Sequence, residues 1–138
     1  RWPSPSAASS PPARVFAIGN SFGGVLALLA AERDVGVPAT ANFAGSAMNW
    51  ERSELFRERM RSAARNARVP VFLAQAENDW STAPTRELGA VLAAAGKPHR
   101  AVVYPAFGVT RGEGHGFGVD GVDRWAADVL PFLEAAAK

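Results

Sequence analysis

The chain has 138 residues, 48% of them apolar and 20% charged. That suits one domain with a modest core and excludes the composition of a disordered chain. Its 15 basic and 13 acidic groups leave a net charge of +2, and the pI of 9.7 reflects arginine chemistry rather than a large basic excess. With no cysteine, the chain has no disulfide framework, thiolate nucleophile or cysteine–zinc site. The longest apolar stretch, about residues 25–31, is far too short to cross a bilayer, so no membrane association is expected.

Residues 1–13 hold four Pro, four Ser and three Ala, which reads as a linker or remnant. Position 1 is Arg rather than Met, so an upstream part is expected to be absent. Nothing visible directs export, and a cytoplasmic location is the expectation.

From residue 14 onward, strand-like and helix-like runs alternate. Arg14–Ile18 predicts a first strand closed by Gly19, and Phe22–Arg33 a helix apolar on most faces. Thr40–Ala44 predicts a second strand. Glu51–Asn66 predicts an amphipathic helix with Phe56, Met60, Ala63, Ala64 and Ala67 on one stripe. Six arginines lie between Arg52 and Arg68, but Glu51, Glu54 and Glu58 are interleaved with them. This reads as a solvated helix face rather than a nucleic-acid surface.

Val69–Ala74 is nearly all apolar and predicts a strand covered on both faces, with Pro70 tolerated near its start. Pro84–Ala95 predicts a helix stopped by Gly96, and Arg100–Tyr104 the fourth strand. A glycine-rich loop follows, then a helix over Val122–Ala136 that Pro131 should kink or divide. The alternation predicts a three-layer α/β/α domain on a mainly parallel sheet. In such sheets functional groups gather beyond the carboxyl ends of the strands, here residues 19–22, 45–50, 75–82 and 105–121.

Gly19-Asn20-Ser21-Phe22-Gly23 is a G-x-S-x-G string between a strand and a helix. The string alone recurs by chance; its placement gives it weight. A sharp turn there holds a serine hydroxyl outward at a helix start, with small residues at 19 and 23 where strand and helix approach closely. The Phe22 amide and the helix N-terminus suit an oxyanion. Serine needs a base to take its proton. His115, in the glycine-rich segment 111–118, lies at the functional edge. His99 lies at the start of the last strand and reads as an ordinary surface residue. The two histidines have no metal-ligand spacing, so no metal is expected. A carboxylate must orient the ring, and Asp79 follows the third strand directly, with Glu77 its competitor. Ser46 lacks the flanking glycine pair and reads as a turn hydroxyl or a pocket wall. The alternating glycines 112–118 lack the spacing of a nucleotide-binding loop.

The elbow GNSFGG (19–24), the acid segment VPVFLAQAENDWST (69–82) and the histidine segment EGHGF (113–117) resemble the carboxy-terminal part of an α/β-hydrolase, closest to the dienelactone hydrolase family. The resemblance spans residues 14–137, and makes 14–138 a partial, truncated α/β-hydrolase catalytic domain. It implies Ser21 as nucleophile, Asp79 as acid, His115 as general base and the Phe22 amide as one oxyanion donor, in the family's Ser…Asp…His order. It also implies that Trp50, Trp80 and Phe117, with the Asn49 region, line the substrate pocket. No cofactor is implied. The founding members carry a cysteine nucleophile, so Ser21 points to a broader carboxylic ester hydrolase acting on a small ester or lactone. An oligopeptidase-like peptidase and a non-catalytic fragment are the alternatives. The family's first strands and a second oxyanion amide would precede residue 14. Arg14–Ile18 would then become a sheet edge, open to self-association.

Overall fold

A computed structural model describes residues 14–138, so the linker expected at 1–13 lies outside the described residues. Four strands, β1 (Ala17–Asn20), β2 (Thr40–Phe43), β3 (Val71–Ala76) and β4 (His99–Tyr104), form one parallel sheet in the order β1-β2-β3-β4. The helices are α1 (Phe22–Arg33), α2 (Glu54–Arg65), α3 (Ala83–Ala94), α4 (Arg111–His115), α5 (Phe117–Asp120) and α6 (Val122–Ala136), with a 3₁₀ turn at Trp50–Arg52.

Sequential parallel strands advancing in one direction require crossovers of one hand, which puts every connecting helix on the same face. The packing agrees. Leu28 and Ala31 of α1, Met60, Ala63 and Ala64 of α2, and Leu88 and Leu92 of α3 share a core with Val71 and Leu73 of β3. The alternate residues Phe72, Ala74 and Ala76 face the other layer, where Phe117, Trp125, Val129 and Leu133 cover them. The predicted three-layer α/β/α class is the observed one. β3 is buried along its whole length, as its apolar run predicts.

Two expectations need correcting. Helix α6 is not divided at Pro131 but continues through it from Val122 to Ala136. Pro131 is exposed, and so is Ala127, whose carbonyl loses its partner and can turn to water. The glycine-rich segment after β4, expected as a loop, holds α4 and α5. Thr110 caps α4 in a capping box: its hydroxyl accepts from the Glu113 amide (3.1 Å), and its own amide donates to the Glu113 carboxylate (2.8 Å). The Thr110 amide, the Val109 amide and the Thr110 hydroxyl donate to the Glu113 carboxylate and hold it below its ordinary range. A depressed folded value means that the cap is complete at neutral pH and is lost as pH falls through that value. Gly114 and Gly118 serve close packing. A Cβ on Gly114 would lie 2.5 Å from Asn78 Oδ1, and one on Gly118 would lie 2.6 Å from Phe43 Cβ.

Candidate active site

Ser21 follows β1 directly, and its amide donates to the Phe43 carbonyl (2.8 Å), one step beyond the β1–β2 ladder. The residue sits at φ 58°, ψ −120°, a conformation costing about 1–3 kcal/mol for a residue with a side chain. The surrounding packing maintains it. A Cβ on Gly19 would lie 2.0 Å from the Gly23 carbonyl oxygen, and one on Gly24 would lie 2.4 Å from Asn42 Oδ1. The expectation of crowding at 19 and 23 is therefore corrected. Gly23 has open space where its side chain would be, and the second crowded glycine is Gly24, which turns into the sheet while Gly23 does not.

Asp79 lies in the turn after β3, and its side chain is fully buried. Its Oδ1 accepts the Trp80 amide (2.6 Å) and His115 Nδ1 (2.8 Å), and its Oδ2 accepts Gln75 Nε2 (2.8 Å). His115 ends α4. The segment after β4 folds back over the strand ends to touch β3 and β1. His115 Nε2 then lies 2.7 Å from Ser21 Oγ. A carboxylate only accepts, so the proton on the ring belongs on Nδ1, and Nε2 is left to accept the serine hydroxyl.

The segment carrying the ring is clamped. Asn78 Nδ2 donates to the carbonyls of Phe107 and Thr110 (2.9 Å each), and its Oδ1 accepts the Phe107 amide (2.9 Å). Asn20 Nδ2 donates to the His115 carbonyl (3.2 Å). Glu77, the rival acid, lies instead on a separate surface hollow with Arg86 and Tyr104. His99 begins β4 at the end opposite the site.

A cleft of about 200 Å³ opens at Ser21 and His115, walled by Val25, Ala47, Met48, Asn49 and Phe56 among others. Ser46 also lines it, at φ 76°, as the pocket-wall reading expects. The three aromatic residues expected there are placed elsewhere. Trp50 is 1% exposed within the α1–α3 core, with Arg61 over its ring. Phe117 is buried on the opposite face against Tyr104, Phe43 and Phe107. Trp80 is exposed under Arg111, and its backbone amide rather than its ring touches the site. Gln75 and Asn78 were given no role by the sequence reading, and Phe56, expected on the apolar stripe of the second helix, also lines the cleft. Gln75 carried a usable signal, being the lone polar residue in the buried β3.

A strained serine between a strand and a helix, a histidine after the last strand and a parallel sheet define the α/β-hydrolase class. The chain matches the dienelactone hydrolase (DLH) family over residues 5–135 and belongs to that family. Its fold is similar to that of Pyrococcus horikoshii acylaminoacyl peptidase in its uncomplexed form, at TM-score 0.66 and 17% identity, covering 94% of this chain and 25% of that one. The orthorhombic form of the same peptidase aligns at TM-score 0.63 and 16% identity, covering 91% and 24%. An acylaminoacyl peptidase in complex with Z-Gly-Gly-Phe-chloromethyl ketone aligns at TM-score 0.60 and 17% identity, covering 81% and 21%. The chain thus spans only a fifth to a quarter of the length of these structures. No curated protein matches. Among the described residues no helix is long and apolar enough to cross a membrane.

Proposed function

We propose that this protein is a serine hydrolase that cleaves a small carboxylic ester or lactone through an acyl-enzyme on Ser21. The observation that carries the reading is the unbroken hydrogen-bond chain Ser21 Oγ–His115–Asp79, with steps of 2.7 and 2.8 Å. Ser21 Oγ attacks the carbonyl carbon as its proton passes to His115 Nε2. Asp79 holds the ring and balances the imidazolium. The Phe22 amide, a first-turn N–H with no partner inside the helix, faces the developing oxyanion. The C–O bond to the alcohol then breaks, and His115 returns the proton to that oxygen. Water, deprotonated by the same ring, releases the acid and frees Ser21.

The described part of the cleft wall carries no Asp, Glu, Lys or Arg side chain, and Val25, Ala44, Ala47, Met48 and Phe56 make it largely apolar. A short neutral acyl group fits such a wall, whereas a carboxylate on the acyl chain would lose water there without gaining a counter-charge.

A fluorophosphonate probe is expected to label Ser21, and Ser21→Ala to abolish labelling. A folded wild-type protein that stays unlabelled would leave the non-catalytic reading standing. Faster turnover of a short peptide amide than of a p-nitrophenyl acyl ester would transfer the assignment to a peptidase.

Self-association is expected from β1, which among the described residues pairs only with β2 and leaves one row of backbone groups without a strand partner beside exposed Ile18 and Leu26. Light scattering should show mass rising with concentration and reduced in Ile18→Lys. A monomer of constant mass would overturn this.

A further inference from the structure

We propose that Gln75 is a positioning residue for the acid of this site, acting on the Asp79 oxygen that His115 does not use. The inference rests on the hydrolase reading above. Gln75 is 1% exposed and stands on the same face of β3 as Val71 and Leu73, which belong to the apolar core. A buried amide at such a place is unfavourable unless every polar atom finds a partner. Here each one does. Nε2 donates to Asp79 Oδ2 (2.8 Å) and to the Ser81 carbonyl (2.8 Å), and Oε1 accepts the Thr85 amide (3.2 Å).

These three bonds determine the amide's orientation. Exchanging its oxygen and nitrogen would set Oε1 against the Asp79 carboxylate and the Ser81 carbonyl, and Nε2 against the Thr85 N–H. Nε2 therefore always presents a proton to Asp79 Oδ2. Gln75 itself stands in β3, and its partners come from the turn after that strand and the first turn of α3, so the position of the donor is tied to the sheet and the helix that follows it.

The consequence for chemistry follows from the other carboxylate oxygen. Oδ1 already takes the Trp80 amide and His115 Nδ1. With Oδ2 held by Gln75, the carboxylate has little freedom to rotate, and Oδ1 stays in line with the ring. The side chain that orients His115 is thus itself oriented by a neutral donor. A neutral partner satisfies the buried oxygen without drawing the negative charge away from the imidazolium that forms in acylation.

Two substitutions test this. Gln75→Met keeps length and volume but removes the donor. Its rate of acylation by a p-nitrophenyl ester is expected to fall by about tenfold to a hundredfold, with KM changed less than about threefold, the pattern of a misplaced reacting group. Gln75→Glu keeps the Oε1 that accepts from Thr85. Its ionised form sets like charge against Asp79, whereas its protonated form restores an O–H donor. The ratio of its rate to that of wild type should therefore rise as pH falls, a trend that a packing defect would not produce.

A third readout does not depend on turnover. The proton on His115 Nδ1 should give a far-downfield NMR resonance that shifts and broadens in Gln75→Met. A wild-type protein that does not react with the probe overturns the hydrolase reading alone. A Gln75→Met protein with the wild-type resonance, or a flat Gln75→Glu ratio across pH, overturns the assignment of Gln75.

Discussion

Replacing Asp79 with asparagine is expected to slow acylation of Ser21 by about 10⁴-fold while leaving the fold intact, the size of loss that follows when the carboxylate of such a chain becomes an amide. The reason lies in the donors around this group. Both carboxylate oxygens face only N–H groups: His115 Nδ1 and the Trp80 amide on one side, Gln75 Nε2 on the other. An asparagine must turn its NH₂ towards one of these sides. Towards Gln75 it sets donor against donor, and Gln75 cannot exchange its own ends without breaking its bonds to Ser81 and Thr85. Towards His115 it collides with the Trp80 N–H and forces the ring proton onto Nε2, where it blocks the acceptor that Ser21 needs. Either way the imidazolium loses its counter-charge. Stopped-flow acylation beside a thermal melt would measure the effect. A loss of less than about tenfold with an unchanged melt would remove Asp79 from the proposed mechanism.

Gly19→Ala is expected to destabilise the protein by about 3 kcal/mol or more, and Gly23→Ala by no more than about 1 kcal/mol, although both glycines belong to the same motif. At Gly19 the added Cβ would lie 2.0 Å from the Gly23 carbonyl oxygen and 2.1 Å from its carbon. Both are backbone atoms of the first helical turn, so no side-chain rotation relieves the overlap. β1 and α1 must separate, and Ser21 lies between them. At Gly23 nothing lies within 4 Å of the added methyl, and alanine is the better helix former. Urea midpoints of the two variants would decide this. Equal losses would show that the glycine pair acts through chain flexibility rather than through close approach.

Helix extents were readable where a run of helix-compatible residues is bounded by turn residues. Helix α1 over Phe22–Arg33 and helix α6 over Val122–Ala136 were expected at the bounds observed. Strand bounds were less legible. The first strand was expected over Arg14–Ile18 and is found at Ala17–Asn20, because hydrogen-bonded pairing with β2 begins only at Ala17 opposite Thr40. Apolarity marks residues that can be buried, but register depends on the partner strand. Similarly, Glu51–Asn66 was expected as one helix. It is a 3₁₀ turn followed by α2, whose start is set by the Ser53 hydroxyl accepting from the Phe56 amide (3.2 Å).

By itself the sequence pointed to the three-layer class and to Ser21, Asp79 and His115, which the fold brings within hydrogen-bond distance, because each stood after a strand-like signal or in a glycine-rich one at one edge of the sheet. Only the tertiary structure decided what surrounds them. Trp50, Trp80 and Phe117 were expected in the cleft on aromatic character alone, and two are core while the third presents only its amide. Side-chain direction depends on how neighbouring elements pack, which no local pattern encodes. Asn78 gains its meaning from Phe107 and Thr110, up to 32 residues away, contacts that exist only once the segment after β4 has folded back over the sheet, whereas Gln75 gains its own from Asp79, Ser81 and Thr85 once the turn after β3 and the start of α3 have closed around it.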